Sequence, residues 1–183
     1  AEGRGRYRFF SDVLTQAARE RIAMETRLRR ALAQNELRVY FQAQVDIESG
    51  DIVGAEALVR WQSPDEGLIP PVRFIPVAEQ TGQIEAIGRW VLQETCRQGQ
   101  NWLAAGLPAL TLAVNVSPRQ IMHGDLVETV AAILDETGFP AQRLELEMTE
   151  SMLAEDLPDI IAKMSAIRTR GVMFSLDDFG TGY

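Results

Sequence analysis

The chain reads as an α/β protein built on a parallel sheet that curls toward a barrel and is opened by one antiparallel hairpin. Downstream of residue 109, short β-type runs alternate with helical stretches, the pattern of βαβ units with helices outside a parallel sheet. Upstream, two extended runs at 37–47 and 52–61 are joined only by Glu48-Ser49-Gly50-Asp51, a link so short that the pair must be antiparallel. The third observation concerns chemistry. Glu56, Asn115, Glu147 and the pair Asp177-Asp178 each close a β-type run, so a parallel barrel would gather all of them at one mouth.

The elements follow in order. Residues 11–34 place Val13, Leu14, Ala17, Ala18, Ile22, Leu28 and Leu32 at helical spacing, opened by Ser11-Asp12 as a capping pair. After the hairpin, a loop rich in proline and glycine is expected over 63–82. Ile84, Ile87, Trp90, Val91, Trp102 and Leu103 then mark a long helix that stops at Gly106-Leu107-Pro108. A strand at 110–116, a helix near 125–137, a strand at 143–149, a helix near 156–170 and a strand at 172–178 complete the alternation. No internal repeat or low-complexity tract interrupts it.

Strand parity assigns the faces, because successive side chains point to opposite sides. Leu110, Leu112, Val114 and Val116 oppose Thr111, Ala113, Asn115 and Ser117. Likewise Leu144, Leu146 and Met148 oppose Glu145, Glu147 and Thr149, while Val172, Phe174 and Leu176 oppose Met173, Ser175 and Asp177. The large apolar set packs under helices, which leaves the smaller and ionisable set facing the barrel interior. Glu56, Leu58 and Arg60 share a face as well, so one strand offers a ligand for a cation and a guanidinium for a phosphate.

Several aligned carboxylates imply a cation, since an unpartnered buried carboxylate is expensive. The chain holds one histidine, His123, and one cysteine, Cys96, which excludes a soft or imidazole-rich zinc or copper site. Oxygen donors suit Mg²⁺ or Mn²⁺, with Ca²⁺ as a competitor. His123 reads as a surface loop residue and Cys96 as a small buried hydrophobe within a helix. No disulfide can form within one chain, which fits a reducing compartment.

Composition narrows the class. The 183 residues are 46% hydrophobic and 24% charged, ordinary for a globular domain with a real core. The net charge of −8 is uneven: residues 1–30 hold eight arginines against four acids, leaving −12 for the remainder. A body so acidic has no basic face for a DNA or RNA polymer, and the arginine-rich start reads as a solvated helix face. No apolar run reaches transmembrane length and no signal-peptide pattern is present. Five strands do not close a barrel of this kind, for which about 250 residues are usual. Because 172–176 would make an apolar exposed edge, the natural protein is expected to continue past Tyr183.

Glu56-Ala57-Leu58-Val59-Arg60-Trp61, Phe74-Ile75-Pro76-Val77-Ala78-Glu79, Asn115-Val116-Ser117, Glu147-Met148-Thr149-Glu150-Ser151 and Asp177-Asp178-Phe179-Gly180-Thr181-Gly182-Tyr183 resemble, in order and spacing, the EAL domain family. These are phosphodiesterases that linearise the bacterial second messenger cyclic di-GMP to pGpG. The resemblance runs from about Leu28 to Tyr183, and it rests on five ordered motifs taken together. It implies a modified TIM (β/α)8 barrel with an antiparallel first strand, of which this chain would lack the C-terminal part. The opening Gly3-Arg4-Gly5-Arg6-Tyr7-Arg8-Phe9-Phe10 is similar to the end of a GGDEF domain. The implied organisation is therefore 1–10 as the tail of a GGDEF-like domain, 11–30 as a linker helix, and 31–183 as the N-terminal portion of an EAL domain.

Carried over by motif, the resemblance implies that Glu56, Asn115, Glu147 and Asp177 hold one Mg²⁺ or Mn²⁺, and Asp177 with Asp178 a second. Glu56, Asp177 and Asp178 are then the catalytic acids of a two-metal phosphodiester hydrolysis. Gln42, Leu58 and Arg60 match positions that touch the dinucleotide, and Phe179 to Tyr183 a loop linking metal occupancy to dimerisation. Thr149 and Glu150 anchor that loop, although Glu150 also fits an acid at a helix N-terminus. Glu145 has no place in this scheme and reads as structural. Gln42 is followed by Ala43 where the family commonly has proline. The family's catalytic lysine, a later glutamate and a ligand-binding glutamine all fall beyond position 183, and Lys163, the one lysine present, sits on an outer helix. The implied protein is a cytoplasmic homodimer, its parent free to be membrane-anchored, with cyclic di-GMP as substrate. A catalytically inactive EAL receptor of cyclic di-GMP and an enolase-like Mg²⁺ barrel enzyme are the alternatives.

Overall fold

The computed structural model describes residues 4–149 and 157–177. Helix α1 (Arg4–Ala33) leads into β1 (Leu37–Val45) and β2 (Ile52–Ser63); a short β3 (Gly67–Ile69), α2 (Pro71–Thr81) and α3 (Gln83–Ala104) follow. Then come β4 (Thr111–Asn115), α4 (Pro118–His123), α5 (Leu126–Thr137), β5 (Leu144–Thr149), α6 (Leu157–Arg168) and β6 (Met173–Asp177). The sheet order is β1-β2-β4-β5-β6, with β3 pairing β2 from the side. β1 runs antiparallel to β2, whereas the β2–β4, β4–β5 and β5–β6 pairs are parallel. The mixed α/β sheet with an antiparallel first strand is thus the architecture that the hairpin and the alternation predict.

Parity sorts the faces as expected. Leu112, Val114, Leu144, Leu146 and Met148 are buried beneath the helices, and Glu145, Glu147 and Thr149 alternate with them at half exposure. Leu176 departs from the pattern at 43% exposed, since β6 is the edge of the sheet and pairs on one side only among the described residues. In β2 the helix-facing set is Ala55, Ala57 and Trp61, all buried.

Trp61 is the anchor of that face. Its ring meets Phe74 of α2 edge-on at 5.9 Å, its Nε1 donates to Glu36 Oε2 at 2.9 Å, and the Arg27 guanidinium lies 5.2 Å from its centroid. Glu36 is itself buried and takes Arg30 at 3.8 Å, so the indole donor and the carboxylate satisfy each other out of water. Arg27 and Arg73 both pair with Glu66 in the β2–β3 turn, and their hydrogen bonds, Arg27 foremost, aided by their positive charge, hold that carboxyl below its ordinary range. The arginines of α1 are therefore not merely solvated: Arg27 and Arg30 fasten the helix to the end of β2.

Three local expectations change. Helix α1 begins at Arg4, so Ser11-Asp12 lie inside it rather than capping it. The predicted loop at 63–82 is instead β3 and α2. Pro71 occupies the first turn of α2, where its missing N–H costs nothing, and Gly82 closes the helix with φ 79°. Pro76 does remove one helical bond, but burial of Phe74 and Ala78 on the same helix outweighs it. Finally, 118–123 forms the short helix α4, which places exposed His123 at a helix end rather than in a loop. At the hairpin tip Asp46 accepts from the backbone N–H groups of Ser49 and Glu48, and these bonds, Ser49 foremost, lower its carboxyl pKa.

Gly99 of α3 lies against β4 and Phe139. A Cβ there would come within 2.6 Å of Leu112 Cδ1 and 2.5 Å of Phe139 Cε2, two buried side chains. Gly99→Ala gains roughly 1 kcal/mol of helix propensity but overpacks the core at a cost of about 1–3 kcal/mol. The expected result is a net loss, read as a lower urea midpoint; an unchanged or higher midpoint would show that the helix–sheet contact yields freely.

Cys96 is fully buried and burial pushes its thiol up to about 12. Because the shift is upward, the native thiolate is scarcer than in the unfolded chain at any pH below that value. Alkylation by iodoacetamide at pH 8 is expected to be negligible in the folded protein and complete in denaturant. Rapid labelling of the native state would contradict this placement.

Candidate functional site

The even-numbered face of β2 presents Glu56, Leu58 and Arg60, all half-buried. Across the antiparallel pair, Gln42 is directly opposite Glu56, Tyr40 opposite Leu58 and Arg38 opposite Arg60. Opposed residues on such a pair project to the same side, so Gln42 stands beside Glu56. On the other edge Glu56 is in register with Ala113, which brings Asn115 two residues further along β4. The Asn115 side-chain Nδ2 donates to Glu56 Oε1 at 2.6 Å. Asn115 is in register with Glu147 of β5, and Glu147 with Ser175 of β6.

Gln42, Glu56, Asn115 and Glu147 consequently form a row across four strands, its last two members at or near the C-terminal ends of β4 and β5. The row supplies two carboxylates and two amides, a donor set for a hard cation. The bond between Asn115 and Glu56 uses the amide nitrogen and one carboxylate oxygen. Asn115 Oδ1 and Glu56 Oε2 are then the atoms suited to a metal, held by a partner that fixes both side chains. Among the described residues no three acids, histidines or cysteines form a complete metal cluster. Asp177 is placed by its backbone, opposite Thr149, while Asp178 and Glu150 lie outside the described residues. Arg60 donates one guanidinium N–H to Val59 O at 2.9 Å.

The turn after Asn115 was less legible. Val116 N donates to Glu147 O at 2.8 Å and closes the strand pair. Ser117 then caps α4, with its N–H donating to Gln120 Oε1 at 3.0 Å in a capping box. Its hydroxyl donates to Glu79 Oε1 of α2 at 2.6 Å. The sequence signal was available in Ser117-Pro118-Arg119-Gln120, a Ser with Gln three residues on and Pro at the first helical position. Lys163 is remote from the row: it donates to Ile121 O and Met122 O and pairs with Asp159.

Two cavities lie away from the row. One, of about 490 Å³, opens between α1 and α2 beside Arg21, Met24, Arg27 and Arg73; the other, of about 550 Å³, lies between α6 and the start of α5 beside His123, Asp125 and Lys163. Neither is lined by a member of the row. Among the described residues no helix is long and apolar enough to cross a membrane.

The chain is 40% identical over 182 residues to the bifunctional diguanylate cyclase/cyclic di-GMP phosphodiesterase MucR of Pseudomonas aeruginosa, a match that covers 100% of this chain and 27% of MucR. It is 38% identical to the oxygen sensor protein DosP of Escherichia coli K12, with 97% and 22% covered, and 42% identical to a signalling protein of Caulobacter vibrioides, with 99% and 22% covered. Among solved structures, the MucR phosphodiesterase in complex with c-di-GMP superposes with a TM-score of 0.84 at 40% identity, covering 88% of this chain and 65% of that one. The EAL enzyme Bd1971, bound to cAMP and cyclic di-GMP, gives 0.84 at 30% identity, with 97% and 49% covered. The chain thus spans about a quarter of the length of these curated relatives and about half to two thirds of the solved chains. With the EAL family model matching residues 25–183, and relatives of this similarity on a shared fold, the chain belongs to the EAL domain family.

Proposed function

We propose that the protein carrying this chain hydrolyses cyclic di-GMP to linear pGpG with Mg²⁺ or Mn²⁺. The observation that carries the reading is the 2.6 Å bond from Asn115 to Glu56, with Gln42 and Glu147 in register on either side. Glu56, Asn115, Glu147, Asp177 and Asp178 are the proposed metal ligands, and Gln42, Leu58 and Arg60 the nucleotide contacts. When bound, the metals would lower the pKa of a water and neutralise charge on the phosphoryl oxygens.

The chain's own residues supply position. Asn115 holds Glu56 in place by a charge-assisted hydrogen bond, so that the carboxylate need not reorganise on loading. Arg60 lies on the Glu56 face and offers a planar, permanently charged fork to a phosphate oxygen. Leu58 between them gives an apolar surface for the sugar or base, and Gln42 can donate and accept at once.

The same reading makes 1–10 the tail of a GGDEF-like domain and 11–30 a linker, of which residues 4–30 belong to helix α1. It also proposes a homodimer acting in the cytoplasm, with Thr149 and Glu150 anchoring the loop that follows Asp178. Support for the upstream domain comes from MucR, named for both activities and aligned over only 27% of its length.

Turnover of cyclic di-GMP by the intact protein in Mg²⁺ is the direct test: pGpG is expected, its formation abolished by EDTA and by Asp177→Asn. Tight binding of the dinucleotide with no product in Mg²⁺ or Mn²⁺ would favour a receptor instead.

Arg60→Ala is expected to weaken cyclic di-GMP binding by about 1.5–3 kcal/mol, the range of a hydrogen bond to a charged group. Calorimetry with Ca²⁺ in place of Mg²⁺ would measure this without turnover. Equal affinity in the two proteins would remove Arg60 from the nucleotide site.

A further inference from the structure

We propose that Glu79 is a positioning residue for the site, acting through Ser117 to set the side-chain amide of Asn115 against Glu56. The proposal rests on the reading of Glu56 and Asn115 as metal ligands for its functional meaning, though its geometry stands apart from any metal.

Asn115 is the last residue of β4, and the chain turns into α4 two residues later. Where a strand ends, its side chains are only as well aimed as the turn that follows. Here that turn is tied in three directions. Val116 N is bonded to Glu147 O on β5. Ser117 N is bonded to Gln120 Oε1, and Gln120 is wedged against α3: a Cβ on Gly88 would fall 1.9 Å from its Nε2. The third tie is the Ser117 hydroxyl to Glu79 Oε1, at 2.6 Å, joining residues 38 apart in sequence.

Of the three, the Glu79 bond is the strong one. An ionised acceptor and a hydroxyl donor at this length make a charge-assisted bond, about twice the strength of a neutral one. It is only part-buried, and among the described residues Ser117 is the one partner of the Glu79 side chain. A carboxylate placed for helix solubility alone would have no reason to turn inward onto the corner of a neighbouring βα unit. Ser117 follows Asn115 by two residues in extended backbone, φ −73° and ψ 146°, so a rotation of the corner that frees Ser117 carries the Asn115 amide with it. The consequence is transmitted to Glu56, whose Oε1 depends on that amide for its hydrogen bond.

The test reads the amide itself. In ¹⁵N-labelled protein without metal, the Asn115 side-chain NH₂ resonance is assigned by its loss in Asn115→Asp. Glu79→Ala and Ser117→Ala are each expected to shift it toward the position of a solvated asparagine. Glu79→Gln, which keeps an oxygen acceptor for the hydroxyl, is expected to restore it. The Trp61 Nε1 resonance reports retained folding, and Ser117→Ala alone decides the matter if Glu79→Ala does not fold. In parallel, Mn²⁺ affinity should fall by about 10-fold in each alanine variant, the lower end for an outer-shell partner, and no further in the double variant. An Asn115 resonance unmoved in both alanine variants overturns the proposal, as does a Glu79→Gln protein as perturbed as Glu79→Ala. Should the unmutated protein take up no Mn²⁺ while the resonance still responds to Glu79, the metal reading fails and the positioning role stands.

Discussion

The register of β2 is the constraint on which the rest of the site depends. Because side chains alternate on a strand, a slip of one residue would turn Glu56, Leu58 and Arg60 under the helices and bring Ala57, Val59 and Trp61 to the site face. Burial resists this strongly. Trp61 fills the space between α1 and α2 with its N–H committed to Glu36, and no charged residue could take its place without losing hydration. At the other end Gly54 crosses so close to β4 that a Cβ would meet Thr111 O at 2.8 Å, so only glycine lets the two backbones approach there without a shift. The strand is thus pinned by a large residue at one end and by the absence of a side chain at the other.

From that register the site is assembled by pairings on both edges. The hairpin brings Gln42 to Glu56 through local contacts, whereas Asn115, 59 residues from Glu56 in sequence, arrives through a crossover that includes two helices. The crossover is held where it matters: α3 packs on the sheet at Gly99, and α2 and α3 both reach the corner after Asn115, through Glu79 and Gly88. Outer helices thereby do more than cover apolar strands, since they fix the direction in which a strand end delivers its polar residue.

Charge is distributed on the same plan. The basic helix α1 lies against Glu36, Asp65 and Glu66 at the end of β2, so the excess of arginine in residues 1–30 meets part of the acid excess of the body. Exposed pairs of this sort are worth little singly, about 0–1 kcal/mol. Their value here is directional, because Arg27, Arg30 and Arg73, from two helices, share Asp65 and Glu66, the acids that follow β2.

Fold class and face assignment were legible in the sequence because both rest on local periodicity: alternation of period two separated Leu144, Leu146 and Met148 from Glu145 and Glu147 before any pairing was known. The hairpin was equally local, fixed by a four-residue link. What the sequence could not give was set by contacts between distant segments. The run 63–82 looked like a loop because proline and glycine dominate local preference; the burial of Phe74 against Trp61 makes it a helix. Ser11-Asp12 looked like a cap, but a helix continues through a cap-forming pair whenever the residues before it can also be helical. The candidate ligands could be named from their places at strand ends, yet which of them touch is a matter of inter-strand register, and only the tertiary structure decides that Asn115 bonds to Glu56 and that Glu79 holds the corner behind it. Local sequence determines which face a residue occupies; the partner it meets there depends on packing across the sheet.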